Sequence, residues 1–159
     1  MKFQIAVVAL AKLLSVTSAA SSEQDSEPFN LIKLGSVDGK NYFYNKDYRT
    51  WFESRTFCME SGMKLASIET ASQAAFLKTQ HNTSTFFGNF WTSGRDAQMS
   101  RQFSWDDSET EPTDSIGLPW GAWEVTLEYQ TCVLYYSNAV PKFLIHICGF
   151  IYGYTLCET

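Results

Sequence analysis

Four cysteines constrain this chain more than any other feature. Cys58 stands alone near the start of the globular part, while Cys132, Cys148 and Cys157 crowd the end. A bond from Cys58 to Cys157 would tie the ends of a domain together, and one from Cys132 to Cys148 would close a smaller loop inside it. Four cysteines allow three pairings, and spacing alone does not choose among them. In the chain-entropy picture a cross-link over about 100 residues stabilises by roughly 4.7 kcal/mol, and one over about 15 residues by roughly 3. No Cys-x-x-Cys occurs, so structural disulfides are a better reading than zinc ligands or catalytic thiols.

The compartment agrees with that reading. Residues 1–20 carry Lys2, an apolar run from Phe3 to Ala11, and small residues ending Ser18-Ala19-Ala20, the pattern of a secretory signal peptide. Lys12 interrupts the run, which argues against a membrane span, and no later stretch approaches the roughly 20 apolar residues a spanning helix needs. The chain is expected to be secreted and extracellular, cut after Ala20, where an even cysteine count can pair fully. About 139 residues remain, one domain's worth. The formal charge of −5 becomes about −7 once Lys2 and Lys12 leave. An acidic surface is a poor partner for nucleic acid or anionic membrane.

Residues 21–39 are expected to be an N-terminal arm, polar and acidic over 21–29, ahead of a domain spanning 40–159. Asn41–Tyr44 reads as a strand. Thr50-x-x-Glu53 is a capping box opening a helix to about Ser61, with Gly62 as its stop. Lys64–Ile68 reads as a short strand, and Thr70-x-x-Gln73 as a second capping box starting a helix to about Gln80. Asn82-Thr83-Ser84 is an N-glycosylation sequon in a polar loop, and Asn82 is expected to be glycosylated. Beyond Phe86 the helical pattern ends. Phe90–Ser93, Gln102–Trp105, Thr131–Tyr136, Leu144–Ile147 and Tyr154–Cys157 read as strands. Between Asp106 and Gln130 lies a long stretch with Pro112, Gly117, Pro119 and Gly121. Irregular loops of that length often form binding surfaces. Helices early and strands late give an α+β class.

Over about residues 40–158 these segments resemble a C-type lectin-like domain. The helix with Trp51, Arg55, Cys58 and Gly62 runs into Leu65-Ala66-Ser67-Ile68, and Gln73 follows in the second helix. Phe90-Trp91-Thr92-Ser93-Gly94 stands where the family has its Trp-Ile-Gly-Leu segment, and Phe103-x-Trp105 precedes the long loop. Cys132-Val133, Cys148 and Leu156-Cys157-Glu158 match the family's ending. The resemblance implies an α+β fold of two helices and antiparallel strands with a long irregular loop. It also implies two disulfides, Cys58–Cys157 and Cys132–Cys148. The Phe90–Gly94 variant looks most like the short secreted lectin-like proteins of insects.

In sugar-binding members of that family, calcium is held by a Glu-Pro-Asn or Gln-Pro-Asp triplet in the long loop. A Glu before the cysteine matching Cys132 and a Trp-Asn-Asp triplet before the next complete the set. Here Gly117-Leu118-Pro119-Trp120 replaces the first, Gln130 stands for the Glu, and Phe143-Leu144-Ile145 holds the last. Calcium takes six to eight oxygen ligands, so no cofactor is expected and the usual metal site is expected to be absent. A weaker alternative is the acidic cluster Asp106, Asp107, Glu109, Glu111 and Asp114, in which Glu111-Pro112-Thr113 superficially resembles Glu-Pro-Asn. Its plainer reading is a solvated, self-repelling loop.

Trp120, Trp123 and Gln130 are the candidate ligand-binding residues, since a loop Trp can stack on a sugar or anchor a protein contact. The bland alternative is that both tryptophans pack inward. Trp91 and Trp105 read as structural. The two histidines, His81 and His146, stand far apart, and no nucleophile elbow, zinc motif or phosphate loop occurs. An enzyme is therefore not expected. The reading is a secreted, non-enzymatic recognition module that binds an extracellular protein or glycoprotein without the usual calcium site. The alternative is a carbohydrate-binding lectin with a degenerate or calcium-independent site.

Overall fold

A computed structural model describes residues 30–81, 86–106, 108, 110–113, 116–121, 128–149 and 153–159. The leader at 1–20, the acidic stretch at 21–29, Asn82, Asp107, Glu109, Asp114 and Trp123 lie outside the described residues. The described elements run β1 Ile32–Val37, β2 Lys40–Arg49, α1 Trp51–Glu60, β3 Lys64–Leu65, α2 Ala71–Gln80 and β4 Gly88–Asp96. They continue with β5 Ser104–Trp105, β6 Thr131–Ser137, β7 Lys142–Ile147 and β8 Gly153–Glu158. This is the α+β architecture read from sequence.

The arm proves shorter than 21–39. Ile32–Val37 pairs antiparallel with β2 and forms the first strand of the sheet. Asp38 and Gly39 make the connection with φ of +51° and +79°, the two left-handed positions of a tight hairpin turn. The strands follow the order β1-β2-β8-β4-β6-β7, with β3 on β8 and β5 on β4. The pairing is antiparallel except between β4 and β8, which run parallel at Phe90–Tyr154 and Trp91–Thr155. The exception arises because the last strand enters the sheet between β2 and β4.

Local chemistry sets the helix starts. At α1 the Thr50 hydroxyl accepts from Glu53 N–H, while Glu53 Oε2 accepts from Thr50 N–H at 2.8 Å, so the box is complete. Its Trp51, Ser54, Phe57 and Cys58 face inward, and Gly62 at φ +71° ends it. The second box closes only halfway. Thr70 accepts from Gln73 N–H, but Gln73 Oε1 accepts from Glu69 N–H at 2.8 Å instead of from the cap residue. Gln73 is buried, so its amide serves the segment before the helix.

One disulfide joins Cys58 to Cys157 across 99 positions, and the other joins Cys132 to Cys148 across 16. This is the pairing implied by the resemblance. Both bonds sit in one apolar cluster with Trp51, Phe57, Leu65, Trp91 and Leu134. Trp51 Nε1 donates to Thr92 O and Trp91 Nε1 to Arg49 O, each at 2.8 Å, so both buried indoles are satisfied. A second cluster on the other side holds Tyr42, Tyr44, Phe86, Phe90, Trp105, Tyr135, Phe143 and Leu156. Together the two clusters hold rigid the sheet from which the long loop leaves and to which it returns.

Candidate ligand-binding face

The long loop leaves β5 under tight restraint. Asp106 is nearly buried and takes Arg55 Nε at 2.5 Å and Arg95 Nη2 at 3.2 Å. One member of the acidic cluster is thereby committed to two guanidiniums. Next, Ser108 and Thr110 each donate a hydroxyl to Glu69 Oε1, at 3.2 and 2.8 Å. The other oxygen of Glu69 lies 2.7 Å from Lys40 Nζ, which also contacts Glu158 Oε1 at 3.1 Å and Ser67 Oγ. Glu158 is 1 % exposed, and a carboxylate that deep needs its lysine. Burial acts to raise the Glu69 carboxyl, yet hydrogen bonds from Lys40, Thr110 and Ser67, with the lysine charge, outweigh it and hold the group at about 2. This network joins β2, the α2 entry, the loop start and β8. Its partners lie too far apart in sequence for any local signal to announce it.

Farther along, the loop folds inward. Ile116 and Leu118 are buried in the core on either side of Gly117, whose φ of +86° a branched residue would resist. Phe143 N–H then donates to Pro119 O at 3.0 Å, and Gly121 N–H donates to Phe143 O at 2.7 Å. These two bonds bridge the loop to β7 in parallel. Trp120 is half-buried, its ring 5.6 Å from Phe103 and 5.2 Å from Phe143. Phe143 is fully buried and also meets Trp105 at 5.9 Å.

The positions that would supply calcium ligands are thus filled by an aromatic stack. Phe143 and Leu118 are buried hydrocarbon, Ile145 is 7 % exposed, and Gln130 offers one neutral amide. Gln130 Nε2 is engaged on Ala97 O at 3.3 Å, and its backbone carbonyl accepts from Cys148 N–H at 3.1 Å. These residues do not fit a hard cation that takes six to eight oxygens. Glu111 is exposed, and among the described residues no three His, Cys, Asp or Glu side chains stand where they could share a metal ion. Of the three candidate ligand-binding residues, Trp120 and Gln130 both lie against the loop's base, on different partners. His146 sits in β7 with Nδ1 accepting from Ile147 N–H.

Between β4 and β5 the sequence reading missed a further organised element. Asp96, 2 % exposed, accepts from Ser100 N–H at 3.0 Å and from Arg101 N–H at 2.6 Å. It freezes a turn in which Met99 and Arg101 take φ of +56° and +64°. Asp96 itself, a residue type that hydrogen-bonds nearby backbone N–H groups in turns, was the available signal.

Among the described residues no helix is long and apolar enough to cross a membrane. The lectin C-type domain family model matches residues 47–159. Snaclec bitiscetin subunit alpha from Bitis arietans is 32% identical over 116 residues, covering 66% of this chain and 85% of that protein. Two solved structures share the fold. The C-type lectin domain of murine dendritic cell inhibitory receptor 2, in complex with an N-glycan, is 22% identical with a TM-score of 0.62, covering 78% of this chain and 93% of that one. The calcium-independent C-type lectin SPL-2 from Saxidomus purpuratus is 20% identical with a TM-score of 0.62, covering 78% and 88%. The half-cystine frame, the paired helices and the long loop over β7 agree with these matches, and the chain belongs to the C-type lectin domain family.

Proposed function

We infer that this C-type lectin domain is a secreted, non-enzymatic recognition module, a short form of the insect type, which binds an extracellular protein or glycoprotein without calcium. On this reading residues 1–20 are removed on secretion, Asn82 carries a glycan, and the domain of 40–159 is extended at its sheet edge by β1. The contact surface is the long-loop face, with Trp120, Trp123 and Gln130 as its anchors.

One observation carries the reading. Phe143 is fully buried beneath Trp120, in the place where metal-dependent members of the family need oxygen. A half-buried indole on a packed base is a common anchor for a protein contact, since its area is held rigid before the partner arrives. The disulfides fit an oxidising, extracellular setting.

A glycan array run with and without chelator tests this reading. Chelator-sensitive sugar binding would contradict it. Binding to an extracellular protein or glycoprotein that survives chelator and is weakened by Trp120→Ala would support it.

A further inference from the structure

Strands β2 and β8 fall out of step at one place. Asn45 pairs with Thr155 and Arg49 with Gly153, so Lys46, Asp47 and Tyr48 stand opposite the single residue Tyr154. A bulge of this kind re-aims the side chains of the longer strand. Here it brings two phenols together. The rings of Tyr48 and Tyr154 lie 4.7 Å apart between centres, tilted by 31°. The Tyr154 hydroxyl donates to the Tyr48 oxygen at 3.1 Å.

Tyr154 is held in place for this encounter. Its ring lies across Gly88, where a Cβ would come within 2.8 Å of Cε2. Gly88 also has a φ of +126°, so a side chain is excluded there on two counts. The ring meets buried Phe90 at 5.4 Å, and Lys46 Nζ stands 5.8 Å from its centre. Tyr48, by contrast, is 65 % exposed and open to an oxidant in solvent. Tyr42, Tyr44 and Tyr135 are buried and shielded from one.

The ortho carbons of a tyrosine flank its oxygen, so two phenols joined by a hydrogen bond carry those carbons close to each other. They are also the carbons at which a one-electron-oxidised phenol couples. Two groups held in this way react as one molecule instead of waiting for a collision between two.

We propose that Tyr48 and Tyr154 form a site of oxidative modification, at which hydrogen peroxide acting through a haem peroxidase makes a dityrosine cross-link. Each phenol gives up one electron and one proton, and the two phenoxyl radicals join through one ortho carbon on each ring. The hydrogens on those carbons then pass to the oxygens as protons, which restores both phenols. One peroxide is reduced to two waters, and the protein loses two hydrogens in all. The new bond ties β2 to β8, the strand that carries Cys157. It joins nearly the same two points of the chain as the Cys58–Cys157 disulfide, through a bond that thiols do not cleave.

Treating the full chain, disulfides intact, with hydrogen peroxide and a haem peroxidase tests the site. The expected product is a monomer with dityrosine fluorescence. Its peptide map should hold a species that joins the Tyr48 and Tyr154 peptides and is lighter than their sum by two hydrogens. The yield per chain should not change on dilution, as an intramolecular step requires. Tyr48→Phe should abolish the monomer's fluorescence with an unchanged melting temperature, because it removes only an exposed hydroxyl. Tyr154→Phe supplies the same comparison from the other strand if that variant melts early. Tyr129→Phe, which removes another exposed phenol, should leave the cross-link in place. In dithiothreitol the cross-linked protein should melt above the untreated one. Absence of monomer fluorescence, or a monomer cross-link that survives Tyr48→Phe, would overturn the proposal. Equal midpoints in reductant would overturn the second clasp.

Discussion

Trp120 and Phe143 are joined twice, through rings 5.2 Å apart and through a parallel bridge in which Phe143 N–H donates to Pro119 O and Phe143 O accepts from Gly121 N–H. The loop that would carry a metal is instead fastened to β7 by hydrocarbon. A buried stack needs no ion to neutralise it, so the loop's order should depend on close packing.

Gly121 is where that packing is tightest. A Cβ there would lie 2.5 Å from Leu144 Cδ2 and 3.3 Å from Phe143 O. Gly121→Ala should therefore unseat the loop and cost about 1–3 kcal/mol, the usual range for overpacking. Urea denaturation reads the loss, and limited proteolysis should find new cuts within 106–130. An unchanged midpoint and cleavage pattern would show that the loop is not held at this point.

Lys40 anchors the other end of the loop through Glu69 and Glu158. Lys40→Met should destabilise by up to about 3 kcal/mol, because buried Glu158 would lose its nearer cation and keep Lys64 at 3.5 Å with the Ser67 N–H and hydroxyl, each at 3.2 Å. Adding Glu158→Gln should recover part of the loss. A double-mutant cycle measures the coupling, and additive losses would mean that the pair does not interact.

Acid should release the same anchor. The Glu69 carboxyl lies near 2 in the folded protein against an ordinary 4.5. Its contribution is fully present above about pH 4.5 and is lost as pH falls toward about 2. Stability measured by urea across that window should drop less steeply in Glu69→Gln than in the parent. Identical slopes would mean that Glu69 ionisation does not contribute to stability in this window.

The two disulfides should contribute unequally. Replacing Cys58 and Cys157 by Ala frees a 99-position loop, and replacing Cys132 and Cys148 frees one of 16. Chain entropy puts the losses at about 4.7 and 3 kcal/mol. Equal losses by urea denaturation would point to packing of the buried sulfurs as the larger effect.

Features that depend on near neighbours were legible in the chain. Thr50 and Glu53 cap each other across three positions, and the reading found α1 within a residue at each end. The second box failed in part because Gln73 had a better buried use on Glu69 N–H. The Asp38-Gly39 pair is a hairpin signal that went unread, so β1, whose pairing carries a bulge between Lys33 and Gly35, was left in the arm. Counting back from Cys132 and Cys148 located Gln130 and Phe143. What those residues do was not legible, since Trp120 meets Phe143 only after Gly117 turns the loop inward. The Lys40–Glu158 contact spans nearly the whole domain, and no periodicity or motif encodes a pairing of that range.

Aromatic packing, not a metal ion, holds the described turn of the long loop at Pro119–Gly121 on β7. The most direct measurement is the melting temperature of the purified protein in millimolar calcium and in chelator. A cation bound at 100 times its dissociation constant would add about 2.7 kcal/mol and raise the midpoint by several degrees. The same midpoint is expected in both buffers. A calcium-dependent rise that Trp120→Ala or Phe143→Ala abolishes would contradict it.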